Sequence, residues 1–343
     1  MLFYAIIIAF LGVTLYTANQ VARGTWTLTW LRGLWYVAIG LMAILALLPL
    51  QTFFLSDIPG SVATRADPAL QLPAISVQTA LATGAFAASM ALISIVMVNS
   101  EAARVWLAQR ISANGSYNPD SVVHTTAIVL MALLMAGVAA LFALSGGLAG
   151  MAESIATSGV EPSDTVLTAV LQVAAAALGV GYAIRRDGAQ LLARLGLNIP
   201  TLRDVGWGVG IGLGLLLLAI IFGIGLTLLL PPEQLAEQTQ ASEQLALAFS
   251  TVSIALLVAV CASVGEEIFV RGALQPVFGI GLSSGFFTLL HTQYWITPGL
   301  LLIFGVSVAF GLTRQRFNTT TAVIAHFMYN FVQLLIVTFV GAS

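Results

Sequence analysis

The stretch SVGEEIFVRG, residues 263–272, puts two glutamates and an arginine into a chain that is otherwise almost entirely apolar. On a helix, Glu267 and Arg271 are four residues apart and share a face, so they can neutralise each other. Glu266 points about 100° away from Glu267 and has no partner on its own helix. A charged side chain at the centre of a membrane helix costs about 2.5–3.5 kcal/mol. Glu266 therefore needs something from another helix, unless the stretch is merely a helix end whose side chains snorkel to the interface. Candidates lie downstream. His291 ends FFTLLH, His326 lies in TAVIAHFMYNF, and Asn330 follows His326 by one helical turn on the same face. A single intramembrane histidine is often a hydrogen-bonded packing residue. Two of them with an asparagine and a spare glutamate in neighbouring apolar segments form a set.

The chemistry open to such a set is narrow. A carboxylate taken out of water holds a proton more readily and suits general-base work near neutral pH. Two imidazoles can hold a water, directly or through a metal, and one glutamate with two histidines is a known catalytic zinc set. An asparagine amide is a good donor to a developing oxyanion. Together these residues read as water-driven hydrolysis of an amide inside a membrane. No Ser-His-Asp combination offers itself, and H-E-x-x-H is absent.

The rest of the chain must supply helices in lipid to carry these groups. Of its 343 residues, 59% are hydrophobic and only 8% charged, against about 25% charge in soluble domains. The mean hydropathy is +1.00. One cysteine excludes an internal disulfide framework, and a net charge of −2 gives no footprint for nucleic acid. Runs long enough to span a bilayer are expected near 2–18, 33–55, 76–98, 123–149, 165–184, 205–230, 246–275, 282–297, 299–313 and 319–341. The chain is thus expected to be an all-α polytopic membrane protein with about ten spans. The first run lacks a basic start and reads as a retained span.

Arginine distribution sets the orientation. Arg23, Arg32, Arg104, Arg110, Arg185, Arg186, Arg194, Arg203, Arg314 and Arg316 fall in alternate loops. The loops between them carry Glu153, Glu161, Asp164, Glu233, Glu237 and Glu243, and Arg65 lies beside Asp57 and Asp67. Both termini are therefore expected outside the cell membrane, and the loop around 276–281 inside. With those span ends, Glu266, His291 and His326 would lie about 10–14 Å below the inner face. A polar break, GVEPSDT, divides residues 1–160 from 161–343. In GWGVGIGLG, Gly206, Gly210 and Gly214 stand four apart, the spacing of small-residue helix packing.

EEIFVR matches E-E-x-x-x-R, FTLLH (287–291) matches F-x-x-x-H, and HFMYN (326–330) matches H-x-x-x-N. In this order, on successive apolar helices, they resemble the CPBP (Abi) family, which comprises type II CAAX prenyl proteases and bacterial relatives linked to bacteriocin maturation and immunity. The resemblance covers about residues 165–343, including LARLGLNIPTLRDVGWG, and leaves 1–160 as an accessory region of about four helices. It implies a catalytic core of six helices. Within it, Glu266 would activate water, His291 and His326 would orient that water or share a metal with Glu266, and Asn330 would stabilise the oxyanion. Glu267 and Arg271 would be supporting residues. The implied cofactor, where one is used, is zinc or another divalent metal. The implied partners are membrane lipid and a membrane-associated protein or peptide, prenylated or not. Two other readings stay open: a non-proteolytic immunity or scaffold protein of the same family, and a transporter with a proton relay. Cys261 reads as packing, and His124, Trp207, Tyr294 and Trp295 as interfacial.

Overall fold

The computed structural model describes residues 2–56, 75–111, 115–147, 150, 151, 153, 157, 161–229, 231, 251–295 and 297–340. Among these residues the chain is helical, with one isolated bridge between Tyr182 and Arg186 and no strand. The elements are α1 (Leu2–Arg23), α2 (Leu28–Ser56), α3 (Val77–Asn99), α4 (Glu101–Ile111), α5 (Val122–Leu144), α6 (Pro162–Gly179), α7 (Gly188–Leu195), α8 (Leu202–Leu229), α9 (Val252–Glu266), a π-helical segment (Glu267–Leu274), α10 (Gln275–Leu289), α11 (Gly299–Arg316) and α12 (Thr319–Val340). Asp57, Arg65, Asp67, Glu233, Glu237 and Glu243, which helped to set the expected orientation, lie outside the described residues.

Among the described residues, eight helical runs are long and apolar enough to cross a bilayer. The fold is all-α and polytopic, as expected, but the count differs from ten for two local reasons. The expected seventh and eighth spans join into one run, Val252–Leu289. It bends at Gly279, where φ is +73° and ψ 175°, a backbone conformation that glycine adopts without a Cβ penalty. The expected ninth span, α11, has only 18 residues and carries Arg314 and Arg316 in its last turn.

The first half packs around small and aromatic residues. Ala18 of α1, Leu31, Trp35 and Met42 of α2, Ala87 of α3 and Val129 of α5 form one buried cluster. Trp35 Nε1 donates to Thr126 Oγ1 at 2.9 Å, so the indole enters the interior with its donor satisfied. A second cluster joins Met97, Ile111, Tyr117 and Ile128 to Leu274, Val277, Phe278 and Phe286. The N-terminal helices therefore cover one side of the bent α9–α10 run. A third cluster, Leu216, Val306, Phe310, Ala325 and Tyr329, ties α8, α11 and α12 together.

The glycines of α8 do serve helix packing, but through a different register. Gly206, Gly210 and Gly214 face open space. Gly208 and Gly212 touch α12: a Cβ on Gly208 would meet Ile324 Cβ at 2.7 Å, and one on Gly212 would meet Met328 Cβ at 2.8 Å. Both sets are spaced by four, so spacing alone could not say which stripe faces the partner. The start of α8 is pinned to the start of α12 as well. Thr201 and Asp204 cap each other's backbone N–H groups, a reciprocal capping box. Asp204 Oδ1 then accepts from Asn318 Nδ2 at 2.8 Å and Thr321 Oγ1 at 2.9 Å. This fixes the height of α12, and with it His326 and Asn330.

Candidate functional site

The site is built where α9 gives way to the π-helical segment. Gly265, just before the pair of glutamates, lies against α6, where a Cβ would meet Ala169 Cα at 3.0 Å. That close approach seats the segment between α6 and α12. A π-helix closes i→i+5 hydrogen bonds and is frequent at functional sites. Here the bond from Gln275 N–H to the Val270 carbonyl ends the segment.

Glu267 and Arg271 are fully buried and form an ion pair, Arg271 Nε to Glu267 Oε2, at 3.2 Å. The pairing expected from their spacing is present. It is also extended in two directions that spacing could not reveal. Arg271 Nη2 donates to the carbonyl and the hydroxyl of Ser307 on α11, both at 3.0 Å, and its guanidinium stands 5.0 Å over the Phe287 ring. On the other side, Glu267 Oε1 lies 2.9 Å from His326 Nδ1. Beside a carboxylate, that nitrogen carries the proton and donates it, which leaves the Nε2 lone pair as acceptor. Asn330 Nδ2 donates to Nε2 at 3.0 Å. The imidazole is stacked on Phe310 at 4.8 Å and is 4% exposed. A continuous polar chain, Ser307–Arg271–Glu267–His326–Asn330, thus runs through apolar surroundings.

Glu266 stands at the open end of this chain. Its Oε2 is 3.9 Å from His326 Nε2, and its side chain is 22% exposed. The group that approaches it from another helix is His326, whose Nε2 accepts from Asn330 and so donates nothing to Glu266.

His291 is placed differently from expectation. It does not lie within a span running to residue 297. Helix α10 ends at Leu289, and His291 follows in a turn with φ −90° and ψ 68°. In the run HTQYWITP only Tyr294, Trp295 and Ile296 prolong the apparent span, while His291, Thr292 and Gln293 are polar. Its threonines and Pro298 favour turns, and Pro298 caps α11. The histidine is nevertheless held. Its Nδ1–H donates to the Phe287 carbonyl at 2.9 Å, so its Nε2 also presents a lone pair. Both imidazoles border one phenyl ring: Phe287 is 4.4 Å from His291 and 6.3 Å from His326, centre to centre. Phe287 is the first letter of F-x-x-x-H and now has a physical role, as the ring that both histidines border.

Glu266, Glu267, His326, Asn330 and Arg271 are therefore brought together, and His291 packs against the same Phe287 ring that His326 borders. Among the described residues, no group of three His, Cys, Asp or Glu side chains is close enough to hold a metal ion. Glu266, His291 and His326 do not fit a shared ion in this arrangement. Sequence reasoning missed Ser307, which anchors Arg271, and Phe310, which stacks on His326. Neither carries a signal beyond an ordinary helix residue.

Residues 248–332 match the family model described as type II CAAX prenyl endopeptidase Rce1-like. That segment holds every candidate site residue from Glu266 to Asn330, and it bears out the resemblance carried by the three motifs. No curated protein and no solved structure matches the chain.

Proposed function

We propose that the chain is an intramembrane endopeptidase that cuts a peptide bond of a membrane-associated protein or peptide. Glu266 is the general base. A water held beside its carboxylate, with a hydrogen directed to His291 Nε2, loses a proton to Glu266 as its oxygen attacks the carbonyl carbon. The resulting oxyanion takes a hydrogen bond from the second Asn330 N–H, the first being held by His326. Glu266 then gives its proton to the leaving nitrogen, and the C–N bond breaks. The products are a carboxylic acid and a free amine. The acid's remaining proton passes to the amine, which leaves as an ammonium group beside a carboxylate. His326 positions Asn330 and flanks Glu266, while Glu267 and Arg271 position His326. No step passes through a metal. Residues 1–160 act as an accessory region covering α10, and both termini stand on the outer side, in keeping with the arginine pattern.

The observation that carries this reading is the buried chain from Arg271 to Asn330, which ends beside a partly exposed carboxylate. Ionisable groups in lipid are expensive, and packing alone would be served by apolar residues. The test is cleavage of a library of prenylated and unprenylated membrane peptides in liposomes, comparing wild type with Glu266→Gln. Cleavage by the wild type with at least a thousandfold loss in the variant is expected. Equal turnover in both would remove Glu266 as base. No cleavage by the folded wild type across the library would favour the immunity or scaffold reading.

A further inference from the structure

A second polar cluster lies away from the residues just described, beside a cavity of about 170 Å³. Its walls are apolar and come from both halves of the chain, including Leu11, Leu15, Leu130, Met131, Phe269 and Phe278. At one end stand Arg185, Arg186, Arg194 and His124. None of the site residues Glu266, His291, His326 or Asn330 lines it.

Among the described residues, these arginines hydrogen-bond only to neutral groups. Arg185 Nε donates to Asn19 Oδ1 at 2.8 Å, and Arg186 donates to the Val180 carbonyl. Arg194 donates to the Gly272 carbonyl at 2.9 Å and the Ala273 carbonyl at 3.3 Å. Among the described residues, each of the three ion pairs within 4.0 Å joins Glu266 or Glu267 to His326 or Arg271, and none involves these arginines. They instead disfavour one another. Burial, then Arg186, Arg314 and Arg185, lower the Arg194 guanidinium to about 10, and burial followed by Arg186 lowers Arg185. His124 adds a donor. Its Nδ1 accepts the Asn118 N–H at 3.0 Å, so Nε2 carries the proton of the neutral ring.

We infer that this cavity binds an anionic phospholipid, with the phosphate on Arg185, Arg186, Arg194 and His124 and an acyl chain between the apolar walls. Guanidinium forks suit phosphate oxygens. A basic pocket between membrane helices on the arginine-rich side is where anionic headgroups are available. The cavity exceeds the ~150 Å³ that accommodates a benzene ring, enough for part of a chain. The unbalanced charge explains the phosphate, and the apolar walls explain why it should come on a lipid. The site also touches the catalytic segment, because the Arg194 acceptors, Gly272 and Ala273, belong to the π-helical turn.

The test uses the full chain in neutral detergent. Native mass spectrometry counts retained lipid, and thermal unfolding is followed on adding dioleoyl phosphatidylglycerol, dioleoyl phosphatidylcholine, dihexanoyl phosphatidylglycerol or inorganic phosphate. One retained phosphatidylglycerol and a saturable rise in midpoint are expected, with little response to phosphatidylcholine. The dihexanoyl lipid and inorganic phosphate should act at least tenfold more weakly. Arg185→Gln combined with Arg186→Gln should weaken phosphatidylglycerol at least tenfold. Ala127→Phe, which fills the cavity, should remove the advantage of the long chain; if that variant does not fold, the comparison of chain lengths in the wild type decides. Equal response to phosphatidylcholine, or an unaffected arginine double variant, would overturn the site. Equal effects of phosphate and long-chain lipid would make it a plain anion site and overturn the lipid.

Discussion

Glu267 Oε1 sits 2.9 Å from His326 Nδ1, with both side chains buried between α9 and α12. This one contact fixes the tautomer of the imidazole and so decides which nitrogen faces Glu266 and Asn330. It turns Glu267 from a charge partner of Arg271 into the residue that orients the site.

Glu267→Gln should therefore impair turnover without removing any group that touches substrate. An amide can still meet His326 through its oxygen, but it then directs its N–H₂ toward Arg271. A fall of about 10²-fold or more in kcat, with KM changed by much less, is expected from the loss of imidazole orientation. Steady-state kinetics on a cleaved peptide give the split. A rise in KM with kcat intact would place Glu267 in substrate binding instead.

Arg271→Ala should act mainly on folding. It leaves the Glu267 carboxylate buried without its cation, and breaking a buried pair in this way costs about 3–5 kcal/mol. Folded yield is expected to fall at least as far as activity per folded molecule. Size-exclusion yield and normalised turnover measure the two. Normal yield with abolished turnover would assign Arg271 a direct part in the reaction.

Gly212→Leu should destabilise the α8–α12 contact by about 1–3 kcal/mol, the usual cost of overpacking. Gly210→Leu, on the open face two residues away, should change stability by no more than about 0.5 kcal/mol. Thermal midpoints of the two variants in one detergent compare the stripes directly. The opposite order would mean that the other glycine stripe faces α12.

Chelation offers a further check. Because Glu266, His291 and His326 do not converge on a common point, dialysis against a strong chelator should leave cleavage within about twofold. Loss of cleavage that zinc restores would require His291, His326 and Glu266 to rearrange onto a common ion.

How far the sequence reveals this site can be judged residue by residue. Glu267 and Arg271 are legible because an i,i+4 pair follows from helix geometry alone. His326 and Asn330 share a face for the same reason. The family match then places the motifs in one segment. His291 was legible as a residue but not as a position. Tyr294, Trp295 and Ile296 prolong the apparent span to 297, but His291, Thr292 and Gln293 are polar, and the helix stops where threonines and Pro298 favour turns. The packing stripe of α8 was ambiguous for a different reason: in a helix with glycines at every second position, two interleaved spacings of four exist, and only the partner chooses. The arginine cluster at 185, 186 and 194 reads in sequence as orientation alone. Its lack of acidic partners among the described residues becomes visible only when α1, α5, α6 and α10 are assembled around it.

The π-helical segment has a consequence for what changes this chain can tolerate. Eight residues there close their hydrogen bonds over a longer step than the helices on either side. Deleting any one of them would let the stretch relax into ordinary α-helix with its backbone bonds still made. Composition and hydropathy would barely change. Yet each residue of an α-helix advances the chain by about 100° and 1.5 Å, so everything after the deletion would turn by that amount relative to Glu266. Phe287 and His291 would leave the side on which His326 waits. Between Glu266 and Gly279 the chain should therefore accept many conservative replacements but no insertion or deletion of a single residue. In that stretch the number of residues is itself part of the active geometry.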